Sequence, residues 1–327
     1  MVAMSIVAGM WGRAAPAIAA PPAKIEWFDD RMAIYFARDA VVEHLGAGLK
    51  WAEGPTWDSR RNCLYFSDIP ANILYRWDES EGIKPWRNPA GSGRAAAGVM
   101  PGTNGLCYRA EDDMLLVCDQ DSRSIIAYSL SDWVGQPVVR DADRPFNSPN
   151  DLVRGRDGAL YFTDPPYGLI ENDASPAKVR KMNGVYRRNS DGSISLIDGE
   201  LTFPNGIGIS PNGQYLYVTV SDPAAPRLVR YRLEGGAVAA RDDRWFDMRQ
   251  FQRDGSPGMP DGMAIAEDGT LFVAAPGGVA IIGADGVALG RIVTGAPTGN
   301  CCIAENAHAL FITANDSLWR VRLRERA

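Results

Sequence analysis

Six short runs recur along the chain with one pattern, a leucine, two bulky apolar residues in most copies, and then a small residue. They are Leu64-Tyr65-Phe66-Ser67, Leu115-Leu116-Val117-Cys118, Leu160-Tyr161-Phe162-Thr163, Leu216-Tyr217-Val218-Thr219, Leu271-Phe272-Val273-Ala274 and Leu310-Phe311-Ile312-Thr313. Their leading leucines stand 51, 45, 56, 55 and 39 positions apart. Turn formers precede most of them, as in Arg156-Asp157-Gly158, Pro211-Asn212-Gly213 and Glu267-Asp268-Gly269. Such turns join neighbouring antiparallel strands.

Ten or eleven positions before each leucine stands a short polar residue: Glu53, Asn104, Asn150, Asn205, Asp261 and Asn300. An alternating apolar strand follows it, as in Ile207-Gly208-Ile209, and a third strand often comes after the repeat run, as in Leu228-Val229-Arg230-Tyr231. Each unit therefore reads as strand, tight turn, strand, loop, strand. Six such units with almost no helical periodicity predict an all-β chain folded as a six-bladed β-propeller. A lone sheet of this size cannot bury both faces, whereas a ring of six buries each sheet against its neighbours and leaves few free edges.

The expected propeller spans residues 24–327 as a single domain. A strand near Val41–Leu45 should close the ring beside Ser317–Leu323. The spacing of Ile25, Phe28, Met32 and Tyr35 suggests a short helix or arm outside it. Long inserts, Pro85–Pro101, Ile170–Met182 and Gly235–Pro260, are expected between blade strands. Residues 1–23 read as a leader, either disordered or signal-like, with Ala17-Ile18-Ala19 resembling a cleavage site. No basic residue precedes its apolar stretch and Arg13 interrupts it, so a cytoplasmic location is expected, with the periplasm as the alternative if residues 1–20 direct export.

Composition excludes several classes. The net charge of -6, from 34 basic and 40 acidic residues, argues against a nucleic-acid partner. No apolar run is long enough to span a bilayer. The five cysteines form no Cys-x-x-Cys pair, so they read as small buried hydrophobes rather than zinc ligands or a disulfide framework.

In a propeller the same end of every inner strand faces one axis. Glu53, Asn150, Asn205 and Asp261 share that register, and together offer two carboxylates and two amide carbonyls. This all-oxygen set suits one hard divalent cation. A three-histidine zinc site is excluded, because the chain has only His44 and His308. Any one Asn-Gly or Asp-Gly alone reads as a turn; four polar residues at one register of different repeats do not. Asn104 and Asn300 occupy the register in the other two units and are expected to face the site. Asp119 and Tyr167, which follow second strands, are further candidates for substrate contact.

Several stretches resemble the family of senescence marker protein, gluconolactonase and luciferin-regenerating enzyme. They are Trp51-Ala52-Glu53-Gly54-Pro55-Thr56-Trp57, Ser148-Pro149-Asn150-Asp151-Leu152-Val153, Tyr161-Phe162-Thr163-Asp164-Pro165-Pro166-Tyr167-Gly168, Pro204-Asn205-Gly206 and Pro260-Asp261-Gly262. The second and third look like the longer microbial gluconolactonases in particular. The resemblance covers about residues 25–323 and implies a six-bladed propeller with one divalent metal. Ca2+ is the first expectation; Mg2+, Mn2+, Zn2+ and Fe2+ are alternatives. Carried over residue by residue, it makes Glu53, Asn150, Asn205 and Asp261 metal ligands; in a three-ligand branch, the residue matching Asn150 contacts water or substrate instead. Two positions depart: Ser148 stands where animal members carry an Arg, and Cys118-Asp119-Gln120 where many longer gluconolactonases have Cys-Glu-His.

The implied activity is hydrolysis of a small-molecule lactone or ester. The metal polarises the carbonyl, and a carboxylate takes the proton of the attacking water. Asp261 is the first candidate for that catalytic base and Asp151 the second, with a ligand-orienting role for Asp151 favoured. The alternatives are a phosphotriesterase like diisopropylfluorophosphatase and a non-catalytic binding propeller. No nucleophile elbow, Walker loop or dinucleotide fingerprint occurs.

Overall fold

The computed structural model describes residues 23–252 and 255–325. The leader expected over residues 1–23 lies, apart from Ala23, outside the described residues. Among the described residues the architecture is six antiparallel sheets with four short 3-10 turns. From the inside outwards, blade one comprises Ala52–Asp58, Cys63–Asp68, Ile73–Asp78 and Gly82–Arg87; blade two, Thr103–Arg109, Met114–Asp119, Ser124–Ser129 and Gly135–Val139. Blade three comprises Leu152–Arg154, Leu160–Asp164, Gly184–Arg188 and Ile194–Asp198; blade four, Pro204–Ile209, Tyr215–Val220, Arg227–Glu234 and Ala237–Asp247. Blade five comprises Met263–Ile265, Leu271–Ala275, Gly278–Ile282 and Ala288–Val293; blade six, Thr298–Ala304, Ala309–Ala314 and Ser317–Arg322. The inner strands touch in sequence, and that of blade six touches that of blade one, so the ring is closed.

Closure is made by the strand Val42–Ala47, which runs antiparallel to Ser317–Arg322 from Val42↔Val321 to Ala47↔Ser317 and completes blade six. The segment expected as a helix or arm is mostly something else. Lys24–Trp27 pairs with Ala288–Val293 as a fifth strand of blade five, and only Asp30–Ile34 forms a single 3-10 turn, capped by the Asp29 carboxylate. Two expected inserts are also shorter than the sequence suggests. Gly82–Arg87 takes up the start of the first, and the 11-residue outer strand Ala237–Asp247 fills much of the third. That strand is exposed along most of its length, so it lacks the apolar alternation that marks a half-buried strand.

The repeat run explains how blades pack. It is the second strand of each blade, and its side chains alternate between the two faces. Leu64 and Phe66 face blade six while Tyr65 faces blade two. Leu160 and Phe162 face blade two while Tyr161 faces blade four. Leu216 and Val218 face blade three while Tyr217 faces blade five. Six hydrophobic clusters result, one between each pair of neighbours. Phe66, Phe162, Phe272 and Phe311 are almost fully buried there, and each such burial stabilises the fold by about 1.5–3 kcal/mol over exposure. All five cysteines are free.

Candidate active site

The polar register lies where the inner strands enter the ring. In four blades the pairing of inner and second strands slips at this point: between Glu53 and Thr56, Thr103 and Leu106, Pro204 and Ile207, and Thr298 and Asn300. Such bulges kink a strand and re-aim its side chains. Glycine follows most of these residues because the next blade presses on them. A Cβ on Gly206 would overlap the Asp261 carbonyl, and one on Gly262 would overlap the Asn300 amide.

The fourth residue of the repeat run locks adjacent blades together. Ser67 donates to the Asn104 carbonyl at 2.8 Å, Thr163 to the Asn205 carbonyl at 2.6 Å and Thr219 to the Asp261 carbonyl at 2.9 Å. Each hydroxyl thus fixes the backbone of the polar residue one blade on. Sequence reasoning missed this role, although the small polar residue ending four of the six runs was its visible signal.

Glu53, Asn104, Asn150, Asp151, Asn205, Asp261 and Asn300 meet around the axis. Asn104 Nδ2 donates to Asn150 Oδ1 at 2.5 Å, and Asn150 Nδ2 donates to Asn205 Oδ1 at 2.6 Å. The Asn300 side chain lies beside Glu53 and Asp151 and favours their charged forms, while its Oδ1 accepts from Cys301 N at 2.8 Å. The Trp51 indole donates to Glu53 at 3.4 Å. Asp151 accepts from Leu152 N at 3.0 Å and from Ile207 N at 3.2 Å, so both its oxygens are engaged. All but Asp261 are buried; Asp261 opens partly to the channel. Deeper along the axis a cavity of about 150 Å³ is lined by Pro55, Leu106, Val153, Ile207 and Met263, with Asp151 and Asn300 also on its wall.

The other candidates sit further out. Tyr167 is half-buried and stacks on Phe203, with ring centroids 6.2 Å apart. It lies near Ser221 and feels the charge of Asp261. Asp119 is buried in blade two, where it accepts from Ser92 N at 3.2 Å and the Ser122 hydroxyl at 3.1 Å. Its hydrogen bonds hold the loop before Asn104 rather than the axial cluster. Asp164 accepts from Asn147 N and Ser148 N, both at 2.8 Å, and so caps the loop leading to Asn150. His44 packs on Trp319 and His308 is exposed in a turn.

Electrostatically the cluster is a negative well. Burial pushes the Asp151 carboxyl up to about 7 against the pull of its N–H donors. Burial, followed by the charges of Glu53 and Asp151, pushes Asp261 well above the carboxylate range, and burial does the same to Glu53. No Lys, Arg or His among the described residues pairs with any of the three. Nor do three Asp, Glu, His or Cys side chains there converge closely enough to hold a metal by themselves; a cation would also need the amide oxygens. The amide geometry fits one. Asn150 Oδ1 and Asn205 Oδ1 each accept a single protein donor, which leaves one lone pair apiece.

Fold and site together define a six-bladed propeller with a buried nest of carboxylates and amides on its axis. The chain belongs to the SMP-30/gluconolactonase/LRE-like family, whose signature covers residues 51–316. A gluconolactonase of Zymomonas mobilis is 38% identical over 306 residues, which are 91% of this chain and 86% of that protein. A pentonolactonase of Haloferax volcanii is 26% identical over 259 residues, 77% of this chain and 76% of the relative. The solved structure of a Xanthomonas campestris gluconolactonase superposes with a TM-score of 0.76 at 29% identity, covering 96% of this chain and 100% of that one.

Proposed function

We propose that this chain is a divalent-metal-dependent lactonase acting on a sugar-type lactone. The observation that carries the reading is the shared register of the Glu53 and Asp261 carboxylates, neither paired with a Lys, Arg or His among the described residues, with the Asn150 and Asn205 oxygens, each of which keeps a lone pair. The gluconolactonase and pentonolactonase relatives support the substrate class. Glu53, Asn150, Asn205 and Asp261 would hold the ion, with Ca2+ favoured by the all-oxygen set. A bound divalent ion supplies Lewis-acid polarisation of the lactone carbonyl and a more acidic water.

The chain's own groups divide the remaining work. Asp261 opens to the channel and can take a proton from an attacking water, which makes it the catalytic base. Asp151 has both oxygens tied to backbone N–H groups and lies beside Asn300, so it orients its neighbours rather than accepting the water's proton. Asn300 also lies beside Glu53. Tyr167 and Phe203 offer an aromatic face at the channel mouth for the apolar side of a sugar ring. Asn104 is assigned to a substrate hydroxyl, and Asp119 to the support of the loop above it.

The test is hydrolysis of gluconolactone by chelator-treated protein before and after Ca2+ or Mn2+ is returned. Loss and recovery support the reading; full activity after chelation refutes the metal dependence. Parallel rates on an aryl ester and a fluorophosphate decide between lactonase and phosphotriesterase, and no hydrolysis of any of them leaves a binding propeller.

A further inference from the structure

The three axial asparagines form a chain of hydrogen bonds with a direction. Asn104 Nδ2 donates to Asn150 Oδ1, Asn150 Nδ2 donates to Asn205 Oδ1, and Asn205 Nδ2 donates to Ser221 Oγ at 3.1 Å. Ser221 Oγ gives its own proton to the Pro260 carbonyl at 2.6 Å. A backbone carbonyl only accepts, so that last bond has one possible polarity. The hydroxyl proton is thereby committed, and Ser221 can meet Asn205 only as an acceptor.

We propose that Ser221 is a positioning residue that fixes the direction of the whole relay and with it the presentation of the Asn150 and Asn205 oxygens. Turning Asn205 alone would set its Oδ1 against a hydroxyl oxygen with no proton to give. It would also set two amino groups against each other at Asn150. Turning all three asparagines together would keep every amide–amide bond and lose the contact to Ser221. That contact therefore separates two arrangements that are alike in their amide–amide bonds.

The inference rests on the metal-centre reading for its consequence, but not for its geometry, and two measurements separate them. In metal-free protein, nuclear magnetic resonance of the Asn205 side-chain amide should show slowed proton exchange that accelerates roughly two- to tenfold in Ser221→Ala and stays slow in Ser221→Thr, which keeps a hydroxyl. Calorimetric titration with Ca2+ should then show affinity about 10–100-fold weaker in Ser221→Ala and near wild type in Ser221→Thr. An Asn205 amide in wild-type protein that exchanges as fast as an exposed asparagine overturns the proposal, even if Ser221→Ala fails to fold. So does a folded Ser221→Ala with unchanged exchange and unchanged affinity. If wild-type protein binds neither Ca2+ nor Mn2+, the metal reading fails, and the exchange measurement alone decides the role of Ser221.

Discussion

Gly262 lies flat against the side-chain amide of Asn300, in the neighbouring blade, with no room for a methyl group between them. The contact joins blade five to blade six at the level of the axial cluster, and Gly262 N also donates to the Gly299 carbonyl at 2.7 Å. Asn300 lies beside both Glu53 and Asp151, so crowding it disturbs two carboxylates at once. Gly262→Ala should cost about 1–3 kcal/mol of stability, the usual range for overpacking, and should lower hydrolysis more than melting temperature alone explains. Denaturant unfolding with parallel activity assays checks this; a stable and fully active variant would show that the contact relaxes freely.

The interblade hydroxyls give a second prediction. Thr163 is fully buried, donates to the Asn205 carbonyl and accepts from Asp151 N at 3.3 Å. Thr163→Val keeps the shape and removes the hydroxyl, which leaves buried backbone groups short of partners. The expected loss is about 1–3 kcal/mol, measured by denaturant unfolding. A loss near zero would mean that the hydroxyl does not fix the Asn205 backbone.

Acidity gives a third. Glu53 and Asp151 are pushed up to about 7, and Asp261 well above the usual carboxylate range. Ligand carboxylates must shed protons to bind a cation. Cation affinity should therefore weaken as pH falls through about 7, and binding near neutrality should release protons. The metal-free protein has the opposite dependence. Carboxyl groups with raised folded-state values stabilise the fold below the ordinary carboxylate range and lose that contribution as pH rises through the raised values. Melting temperature without metal should thus fall as pH rises from about 4 to about 7, and Ca2+ should restore it. A pH-independent affinity contradicts the assignment.

The two candidate bases separate kinetically. Asp261→Asn should lower kcat by about 100-fold or more and weaken cation binding as well. Asp151→Asn should leave the cation bound and lower activity less, by about tenfold, as expected for a group that orients its neighbours. Equal losses of kcat with cation binding intact in both variants would reverse the assignment.

Much of this molecule is legible in its sequence because a propeller writes one pattern six times. The repeat run appears wherever a second strand is buried on both faces, and the polar register appears wherever an inner strand meets the axis. What escaped has a physical reason. Ala237–Asp247 is a strand held by backbone bonds with little burial, so no apolar alternation reveals it. Lys24–Trp27 pairs with a strand some 260 residues away, and its spacing imitates a helix. Asp119 ends a second strand; its Oδ2 accepts from Ser92 N and the Ser122 hydroxyl, while its Oδ1 is buried without a partner. Ser221 carries no motif; its importance depends on which way its proton points, and only the Pro260 carbonyl reveals that.

The most direct test of the metal centre is anomalous diffraction from a crystal soaked in Mn2+. The account predicts one strong peak on the propeller axis, bonded to oxygens of Glu53, Asn150, Asn205 and Asp261, that disappears in Glu53→Gln. An axis without a peak in protein that still hydrolyses gluconolactone, or a peak bound by other residues, would contradict it.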